Sequence, residues 1–315
     1  MSPAPRPALS YLPTPLDEAH RLSDALGVRL LVKRDDLTGL ALGGNKARKL
    51  DHLVADALAR GCDVLVTGGG TQSNHVRQTA AAARRAGLEC HAVLAGRAPA
   101  TPTGNVLLDH LLGATITYCD ATGYYDIERA IADVAAHLRQ QGRRPYAIPI
   151  GGASAPGVRA YADAAQELLE QHSAVEWVFV ADGSGGTHAG LLAGFGTGGP
   201  RVVGVDVGTR PDLDEVVPRL AHDVVDGDIA DAVVDHDHAA PGYGALSEAA
   251  LDALRFAART EGLLLDPVYT AKAFAAMSAW IADRRVTPGA TVCFWHTGGH
   301  PALFASRYAT TLAAR

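Results

Sequence analysis

The chain has 315 residues, of which 48% are hydrophobic and 20% are charged, and its formal net charge is −6. This length fits one large α/β domain or two domains that share an interface. The apolar content excludes a disordered chain. The net negative charge argues against a nucleic-acid partner, which requires a concentrated positive field. Glycine is unusually abundant, with 34 residues.

The cysteines and the N-terminus indicate a cytoplasmic protein. Cys62, Cys90, Cys119 and Cys293 are scattered without a CxxC pair, which is typical of reduced thiols in a cytosolic chain. Residues 1–16 contain several prolines and no continuous apolar run, so they do not resemble a signal peptide. No stretch approaches the roughly 18 apolar residues of a membrane span. We therefore expect no membrane partner.

Short β-branched runs alternate with helical patterns along most of the chain. The predicted strands are residues 28–33, 63–67, 89–94, 114–119, 145–150, 175–181, 201–207 and 290–295. Helices of about ten to fifteen residues between strands predict right-handed crossovers and parallel sheets. The pattern fits two doubly wound α/β sheets or one barrel. Glycine loops of the strand–loop–helix form at uneven spacing favour the open sheets.

The first loop with chemical character lies in residues 33–50, before a predicted helix that ends near Gly61. A glycine pair allows a tight turn, Asn45 is a good N-cap, and Lys46 lies in the first helical turn. A helix N-terminus disfavours an ammonium ion. The pKa of Lys46 is therefore expected to be lowered, which makes its amine nucleophilic, as a Schiff-base lysine requires. The alternative is a surface lysine in a basic stretch.

The second loop lies in residues 63–80, where a strand ends in three glycines and a helix begins near Ser73. The N–H groups of the helix start, the Ser73 hydroxyl and the Asn74 amide could bind a carboxylate. The alternative is a plain helix cap. His75 on its own is more typical of a hydrogen-bonded structural histidine.

Two further loops repeat the same pattern. In residues 177–191 a strand leads into the small residues Gly183, Ser184, Gly185, Gly186 and Thr187. Their N–H and hydroxyl donors, without a cation, fit one phosphomonoester group or an ordinary tight turn. In residues 293–304, Thr297 could contact a ring nitrogen or cap a helix.

Two tyrosines lie in loops bounded by glycine or proline. They are Tyr243 in APGYG and Tyr269 in LLLDPVYT, and a buried phenol in such a loop can orient a substrate or simply pack. His236 and His238 could chelate a metal from one face of a strand. No third ligand has suitable spacing, so we predict no metal site and a solvated loop.

Together the loops provide what pyridoxal 5'-phosphate requires: an amine for its aldehyde, donors for its phosphate, a carboxylate seat and a group for its ring nitrogen. The chain resembles the fold-type II pyridoxal-phosphate enzymes. Within them it resembles the family of D-cysteine desulfhydrase and 1-aminocyclopropane-1-carboxylate deaminase, with the desulfhydrase pattern closer. GGNKARKL, QSNHVRQTAA, TGNVLLDHLLG, GSGGTHAGL, APGYG and LLLDPVYT occur in the family's order and span nearly the whole chain.

The resemblance implies a role for each matching residue. Lys46 would hold the cofactor, Asn74 would contact its phenolic oxygen, and Thr297 would lie near its ring nitrogen. The phosphate would be bound by Gly183, Ser184, Gly185, Gly186 and Thr187. The residues expected to contact substrate are Ser73, Asn74, His75, Tyr243, Tyr269 and Thr270. Those expected to take part in catalysis are Lys46, Ser73, Tyr243 and Tyr269.

The resemblance also implies a fold and an assembly. The fold is α/β, with two doubly wound and mostly parallel-sheet domains, similar to the β subunit of tryptophan synthase. Residues 1–47 and 153–315 would form a discontinuous cofactor-binding domain, and residues 48–152 a smaller α/β domain. The expected partners are a small amino-acid substrate and a second copy of the chain in a homodimer.

The implied reaction is an α,β-elimination, with D-cysteine giving pyruvate, sulfide and ammonia. Lys46, once the substrate amine has displaced it, would remove the α-proton. Thr270 stands where the deaminase pattern has a glutamate, which disfavours opening of the cyclopropane ring. Asp182, the segment GASAPG at 152–157 with Ser154, and His300 depart from the family pattern near the expected pocket. They leave open a lyase for another β-substituted amino acid, such as L-cysteate, D-serine or β-chloroalanine.

Two other classes of function remain as alternatives. A β-replacement synthase uses the same cofactor but needs a second nucleophile. A degenerate cofactor-binding or regulatory protein would keep only the fold. The presence of Lys46, Ser73, Asn74 and both tyrosines argues against the second class.

Overall fold

The computed structural model describes residues 8–313, so the first seven residues, with the N-terminal prolines and the start of the predicted large domain, lie outside the described residues. The strands are β1 (Leu16–Glu18), β2 (Arg29–Lys33), β3 (Val64–Gly70), β4 (Glu89–Ala95), β5 (Thr115–Cys119), β6 (Pro145–Ala147), β7 (Trp177–Asp182), β8 (Arg201–Asp206), β9 (Val233–Asp235) and β10 (Thr291–Trp295). The α-helices are α1 (His20–Leu26), α2 (Lys46–Ala59), α3 (Asn74–Arg85), α4 (Gly104–Leu111), α5 (Tyr124–Gln140), α6 (Ala155–Gln171), α7 (Gly186–Phe195), α8 (Leu213–His222), α9 (Glu248–Glu261), α10 (Thr270–Ala282) and α11 (Ser306–Ala313).

Six strands form one sheet in the order β1-β2-β10-β7-β8-β9, and only β1 runs antiparallel to its neighbour. Its central strand β7 is a nearly continuous apolar run, as a strand covered on both faces requires. Apolar residues of α1, α9 and α10 pack on one face. Those of α6, α7 and α8 pack on the other.

The other four strands form a parallel sheet in the order β5-β4-β3-β6. Helices α2 and α3 cover one face of it, and α5 covers the other. The four strands lie between residues 64 and 147. The domain boundaries after residues 47 and 152 stay a prediction.

All eight predicted strands are present, and the two open sheets exclude the barrel. The three-residue strands β1 and β9 were not predicted, because each is too short to give a periodic signal. The strand predicted over 145–150 ends at Ala147, and a 3-10 helix follows over Ile150–Gly152. Strand β3 continues through its three glycines to Gly70.

None of the described helices is long and apolar enough to cross a membrane. The carboxyl ends of β2, β3, β7 and β10 lead into the glycine loops singled out in the sequence. In open parallel sheets, ligands bind beyond these strand ends.

Candidate active site

A cavity of about 230 Å³ lies beyond the carboxyl ends of strands from both sheets. The predicted site residues that line it are Lys46, Ser73, Asn74, His75, Gly183, Ser184, Gly185, Thr187, Tyr243, Tyr269 and Thr297. Residues more than 200 positions apart in the chain therefore meet in one space. Gly186 and Thr270 are not among the lining residues.

Lys46 is the first residue of α2, and its exposed surface faces the cavity. Its ammonium donates to Asn45 Oδ1 at 3.1 Å. Burial lowers the pKa of Lys46 to about 8, and the charge of Asp182 opposes the shift. The direction of the shift agrees with the expectation for Lys46, and its largest cause is desolvation.

Asn45 does not cap α2 with its side chain, contrary to the sequence-based expectation. Its backbone is helical, with φ −54°, and its side chain makes no cap hydrogen bond. The Asn45 amide instead donates to Thr187 Oγ1 at 3.1 Å. The Asn45 N–H donates to the carbonyl of Thr297 at 3.0 Å. Asn45 thus ties together three loops that surround the cavity.

Residues 183–187 form a tight loop between β7 and α7, where Gly185 has φ +84°. Asp182 stabilises the loop from its start, since its Oδ1 accepts the Gly185 N–H at 3.0 Å. Its Oδ2 contacts His188 Nδ1 at 2.9 Å. Gly186 is the first residue of α7 and lies behind the cavity wall rather than in it.

Lys49 is a fully buried lysine behind the same loop, and burial lowers its pKa well below the usual value. Sequence reasoning treated it only as a basic neighbour. Its Nζ donates to the Gly151 carbonyl at 3.2 Å. A Cβ added to Gly186 would lie 3.0 Å from that Nζ and 3.0 Å from the Ala153 Cα, which leaves little space for a side chain there. Lys49 follows Lys46 by three residues, which places both on one face of α2. This spacing was the available signal for a second buried lysine on α2. Lys49 does not line the cavity, and the phosphate cup of N–H and hydroxyl donors stays a prediction.

The start of α3 carries Ser73, Asn74 and His75. The Ser73 hydroxyl accepts the Val76 N–H at 3.3 Å, so Ser73 is the predicted N-cap and also lines the cavity. Asn74 Oδ1 accepts from the Arg77 guanidinium at 3.2 Å and from the Asn105 amide at 3.0 Å. These two contacts fix the orientation of the Asn74 side chain.

Sequence reasoning missed Arg77 and Asn105, which hold the Asn74 side chain beside the cavity. The Arg77 guanidinium also donates to Asn105 Oδ1 at 3.0 Å and to the carbonyl of Gly43 at 2.8 Å. It therefore joins α3 and α4 to the glycine turn before Lys46. The sequence offered one signal for each residue. Arg77 lies one helical turn after Asn74, and Asn105 lies in the family motif TGNVLLDHLLG.

His75 is buried, and neither ring nitrogen has a hydrogen-bond partner among the described residues. Burial, with the charges of Lys46 and Lys49, places its pKa well below the usual value. The imidazole is therefore neutral and has both a donor and an acceptor available beside the cavity. This differs from the hydrogen-bonded structural histidine that the residue alone suggested.

Tyr243 and Tyr269 meet in the cavity wall with their hydroxyl oxygens 2.7 Å apart. Their rings pack edge to face at 5.9 Å between centroids. Burial raises the pKa of both phenols, so both stay protonated near neutral pH.

Thr270 turns away from the cavity, which corrects its expected contact with substrate. Its hydroxyl donates to Asp266 Oδ1 at 2.8 Å and accepts the Asp266 N–H at 2.6 Å. Asp266 in turn accepts the N–H groups of Val268, Tyr269 and Thr270. The pair therefore organises the start of α10 and holds the Tyr269 backbone.

Of the three departures from the family pattern, only Asp182 lines the cavity. Ser154 precedes α6 as its N-cap residue, outside the cavity wall. His300 lies in a separate surface groove with Asp36, and its Nε2 contacts the Leu264 carbonyl at 3.0 Å. The expectation that Ser154 and His300 lie at the pocket is therefore corrected.

His236 and His238 are each engaged by carboxylates. The two ring nitrogens of His236 lie 2.9 Å from Asp206 and Asp214. His238 Nδ1 lies 2.7 Å from Asp235. Both histidines follow β9 rather than alternating along a strand.

The cavity fits pyridoxal 5'-phosphate by its own chemistry. Lys46 supplies an amine of lowered pKa, and the loop 183–187 supplies N–H and hydroxyl donors for a phosphate. Thr209 Oγ1 and both nitrogens of His75 are buried polar atoms beside the cavity with no hydrogen-bond partner among the described residues. A Cβ at Gly70 would lie 3.0 Å from the Tyr243 ring, so glycine keeps that part of the cavity open.

Comparison with known proteins agrees with this chemistry. Residues 8–298 match the model of the pyridoxal-phosphate dependent enzyme family. A D-cysteine desulfhydrase from Serratia proteamaculans is 42% identical over 96% of this chain and 96% of its own length. A D-cysteine desulfhydrase from Salmonella choleraesuis is 43% identical over the same shares of both chains.

Solved structures give the same family. An ACC deaminase homologue is 34% identical and superimposes with a TM-score of 0.89, covering 98% of this chain and 95% of its own. A threonine deaminase from Solanum lycopersicum, at 18% identity, 95% and 82% coverage and a TM-score of 0.68, shares the fold. The chain belongs to the pyridoxal-phosphate-dependent enzymes and, within them, to the family of the D-cysteine desulfhydrases.

Proposed function

We propose that the protein catalyses the pyridoxal-phosphate-dependent elimination of D-cysteine, in which D-cysteine and water give pyruvate, hydrogen sulfide and ammonia. The observation that carries the proposal is the protonated pair Tyr243 and Tyr269 in the wall of the cavity that contains Lys46. Relatives that are 42% and 43% identical over 96% of the chain bear the name D-cysteine desulfhydrase.

Lys46 is the group that moves the proton at the substrate α-carbon. With a pKa of about 8, an appreciable fraction of its amine is neutral near pH 7.5 and can accept that proton. The bound cofactor supplies the electron sink that stabilises the resulting carbanion. Asn45 Oδ1, 3.1 Å from the Lys46 amine, restrains the side chain.

The two tyrosines act on the leaving group. Two hydroxyls that share one hydrogen bond leave one O–H free to donate. Because burial raises both pKa values, the pair keeps its protons. The free O–H donates to the sulfur as the carbon–sulfur bond breaks, so the sulfur leaves with a proton.

Backbone amides and small side chains bind the anionic groups. Ser73, with the N–H groups at the start of α3, binds the substrate carboxylate. Asn74, oriented by Arg77 and Asn105, contacts the phenolic oxygen of the cofactor. The loop 183–187 binds the phosphate.

Thr270 supports elimination over opening of a cyclopropane ring. The deaminase pattern has a glutamate at this position. Here Thr270 is hydrogen-bonded to Asp266 behind the wall, so this position presents no carboxylate to the cavity. The tyrosine hydroxyls are therefore the proton donors at that end of the site.

The test is turnover by the holoenzyme on a panel of D-cysteine, L-cysteine, L-cysteate, D-serine, β-chloroalanine and the cyclopropane amino acid. We expect D-cysteine to give the highest kcat/KM, with pyruvate and sulfide in equal amounts and no dependence on added thiol. Lys46→Ala should lose turnover and the visible absorbance of the bound cofactor. Arg60→Ala, which removes an exposed ion pair with Asp56, is the control and should retain both. A better substrate on the panel, or thiol-dependent turnover, would contradict the proposal.

The proposed assembly is a homodimer. Exposed apolar side chains occur at Leu12, Leu42, Leu111 and Phe304, in segments that contact each other. A Cβ at Gly298 would lie 2.8 Å from the Gly44 backbone, and one at Gly104 would lie 3.0 Å from the Pro301 carbonyl. Large exposed apolar side chains on segments that lie close together are typical of an interface. Sedimentation velocity should give a dimer, and Leu111→Glu should shift it toward monomer.

We also propose that the protein is located in the cytoplasm. All four cysteines, Cys62, Cys90, Cys119 and Cys293, are free thiols, as is usual in a reducing compartment. Cell fractionation with an antibody to the chain tests it, and recovery of the protein from an extracytoplasmic fraction would contradict it.

A further inference from the structure

Lys272 is a buried lysine that the proposed chemistry does not use. It lies in the first turn of α10, three residues after Tyr269, and is fully buried. Its Nζ donates to the carbonyls of Ala239 and Gly242 at 2.8 Å each and of Val207 at 3.4 Å. No carboxylate pairs with it among the described residues, although the charge of Asp206 acts on it from a distance.

The three carbonyls belong to two loops that build the cavity. Val207 immediately precedes Gly208 and Thr209, which line it. Ala239 and Gly242 lie just before Tyr243. The loops are in close contact, since a Cβ added to Gly208 would lie 2.9 Å from the Tyr243 nitrogen. The ammonium therefore lies where both loops meet the start of α10.

Carbonyl oxygens that converge on one cation are the arrangement by which proteins bind K⁺. An ammonium group and K⁺ are similar in charge and size, and both interact well with carbonyl dipoles. In this chain a covalently attached ammonium takes the place that a free monovalent cation would fill. It adds a charged donor to the carbonyls of Ala239 and Gly242, which also accept the N–H groups of Gly242 and Ala245, and it also donates to the Val207 carbonyl.

We propose that the Lys272 ammonium is a built-in cation that positions Tyr243 and Tyr269 against each other, and that the enzyme therefore needs no monovalent metal ion at this place. Through Gly242 it fixes the backbone beside Tyr243, and through its own helix it is tied to Tyr269. Lys272 is a positioning residue, because it touches neither the cavity nor the reacting atoms. The inference rests on the proposed role of the tyrosines.

The first experiment uses the wild-type holoenzyme in buffers whose only monovalent cation is K⁺, Na⁺ or tetramethylammonium at equal ionic strength. We expect kcat/KM and the midpoint of thermal unfolding to be the same in all three. A requirement of the wild-type enzyme for K⁺ or Na⁺ would overturn the proposal.

The second experiment replaces the ammonium. Lys272→Ala should lower kcat/KM about 10- to 100-fold through kcat more than KM, because the tyrosines lose their alignment on the leaving group. It also opens a space beside three carbonyls. We expect K⁺ or NH₄⁺ at about 100 mM to restore at least about one tenth of the lost activity, whereas tetramethylammonium is too large to enter.

The unfolding midpoint of Lys272→Ala provides a readout that is independent of the substrate. A cation that binds only the folded protein raises the midpoint, so K⁺ and NH₄⁺ should raise it relative to tetramethylammonium. Ser278→Ala on the same helix is the control, since its hydroxyl bonds only to the Phe274 carbonyl within α10. It should show no cation effect.

The outcomes separate this proposal from the proposed function. If D-cysteine is not a substrate, the cation-dependent midpoint of Lys272→Ala still reports on the carbonyl cluster. Undiminished kcat/KM in that variant, or a folded variant that responds equally to all cations, would overturn the proposal. Should Lys272→Ala not fold, Lys272→Met fills the same space without a charge, and full activity in it would be equally decisive.

Discussion

Helices α2 and α3 both deliver residues to the cavity, but their buried polar side chains are held in opposite ways. On α2, the Arg48 guanidinium donates to Asp35 at 3.0 Å, to Glu167 at 2.9 Å and to Thr14 at 2.8 Å. On α3, the side chains of His75, Gln78 and Thr79 are buried with polar atoms that have no hydrogen-bond partner among the described residues. Asn74 and Arg77 of α3 are hydrogen-bonded, so the contrast with Arg48 of α2 concerns His75, Gln78 and Thr79.

The difference indicates that the α2 network serves the stability of the fold, whereas the cavity end of α3 serves the reaction. A buried ionic network that is fully hydrogen-bonded fixes its elements, and breaking one partner is costly. Buried polar atoms without a partner cost stability, and they are found mainly where a function requires them. We therefore expect substitutions in the α2 network to act on folding, and those at the cavity end of α3 to act on turnover.

The largest effect is expected at the centre of the α2 network. Asp35 is fully buried and accepts hydrogen bonds from Arg48, Tyr161 and Trp295. Asp35→Ala leaves these donors and the Arg48 charge without their partner, and should lower the free energy of unfolding by about 3–5 kcal/mol. Urea denaturation of the holoenzyme measures it.

The matched control for that substitution is Asp17→Ala. Asp17 also pairs with an arginine, Arg34, but its side chain is half exposed. Exposed pairs contribute little, so the expected loss is below about 1 kcal/mol. Equal losses in the two variants would contradict the special status of the α2 network.

The second effect is expected at His75. His75→Gln removes the neutral imidazole beside the cavity, and kcat/KM should fall about 10- to 100-fold. The free energy of unfolding should change by less than about 1 kcal/mol, because no hydrogen bond of the imidazole to protein is lost. Steady-state kinetics and urea denaturation of the same preparation give both numbers.

Thr79 provides a control on the same helix. It is buried, its hydroxyl has no partner among the described residues, and it does not line the cavity. Thr79→Val keeps the shape and should leave kcat/KM unchanged while stability stays equal or rises. A loss of stability at His75 as large as that at Asp35 would mean that α3 is structural as well.

Some residues of the site could be predicted from the sequence because a local pattern marks them. Loop residues such as Lys46, Ser73 and Tyr243 were predictable, because each follows a strand and a glycine or proline that marks a turn. The two sheets were predictable as well, because strands that alternate with helices are a pattern local to the sequence. Three-residue strands such as β9 carry too little periodicity to be recognised.

The residues that the sequence missed act through partners distant in the chain. Arg77 holds Asn105 and the Gly43 carbonyl, 28 and 34 residues away. Lys272 holds Val207, which is 65 residues away. No local spacing encodes such contacts. The same limit explains Thr270, whose side-chain direction depends on Asp266 rather than on its place beside Tyr269.

A third prediction concerns Asp109 on α4, which packs near Arg77. Neither carboxylate oxygen has a hydrogen-bond partner among the described residues. Burial raises the pKa of Asp109 to about 7, and the charge of Arg77 opposes the shift. A carboxyl whose pKa is higher in the folded than in the unfolded state loses stability as the pH rises from about 4 to about 7.

Asp109→Asn should therefore remove part of that decline. The free energy of unfolding of the variant, minus that of the wild type, should be about 1–2 kcal/mol larger at pH 8 than at pH 4. Unfolding free energies across this range measure it. If the stability of the wild type rises from pH 4 to pH 7 and Asp109→Asn removes that rise, the Asp109 carboxylate is paired in the folded protein, which would contradict the prediction.

The smallest effect is expected at His236, a half-exposed residue whose ring nitrogens are both engaged by carboxylates. The hydrogen bond that His236 donates to the Asp206 carboxylate is the main reason that the pKa of His236 lies above its usual value. A raised histidine pKa stabilises the fold fully below about pH 6.5, and this contribution is lost as the pH rises through the folded-state pKa. Because the side chain is half exposed, solvent screening limits this contribution to about 0.5 kcal/mol or less.

His236→Gln should remove a small decline in stability above pH 6.5 and leave the decline at lower pH, from Asp109, unchanged. Since the two windows differ, the double variant should lose both declines additively. An interaction between them would mean that the two sheets do not respond to pH as separate units.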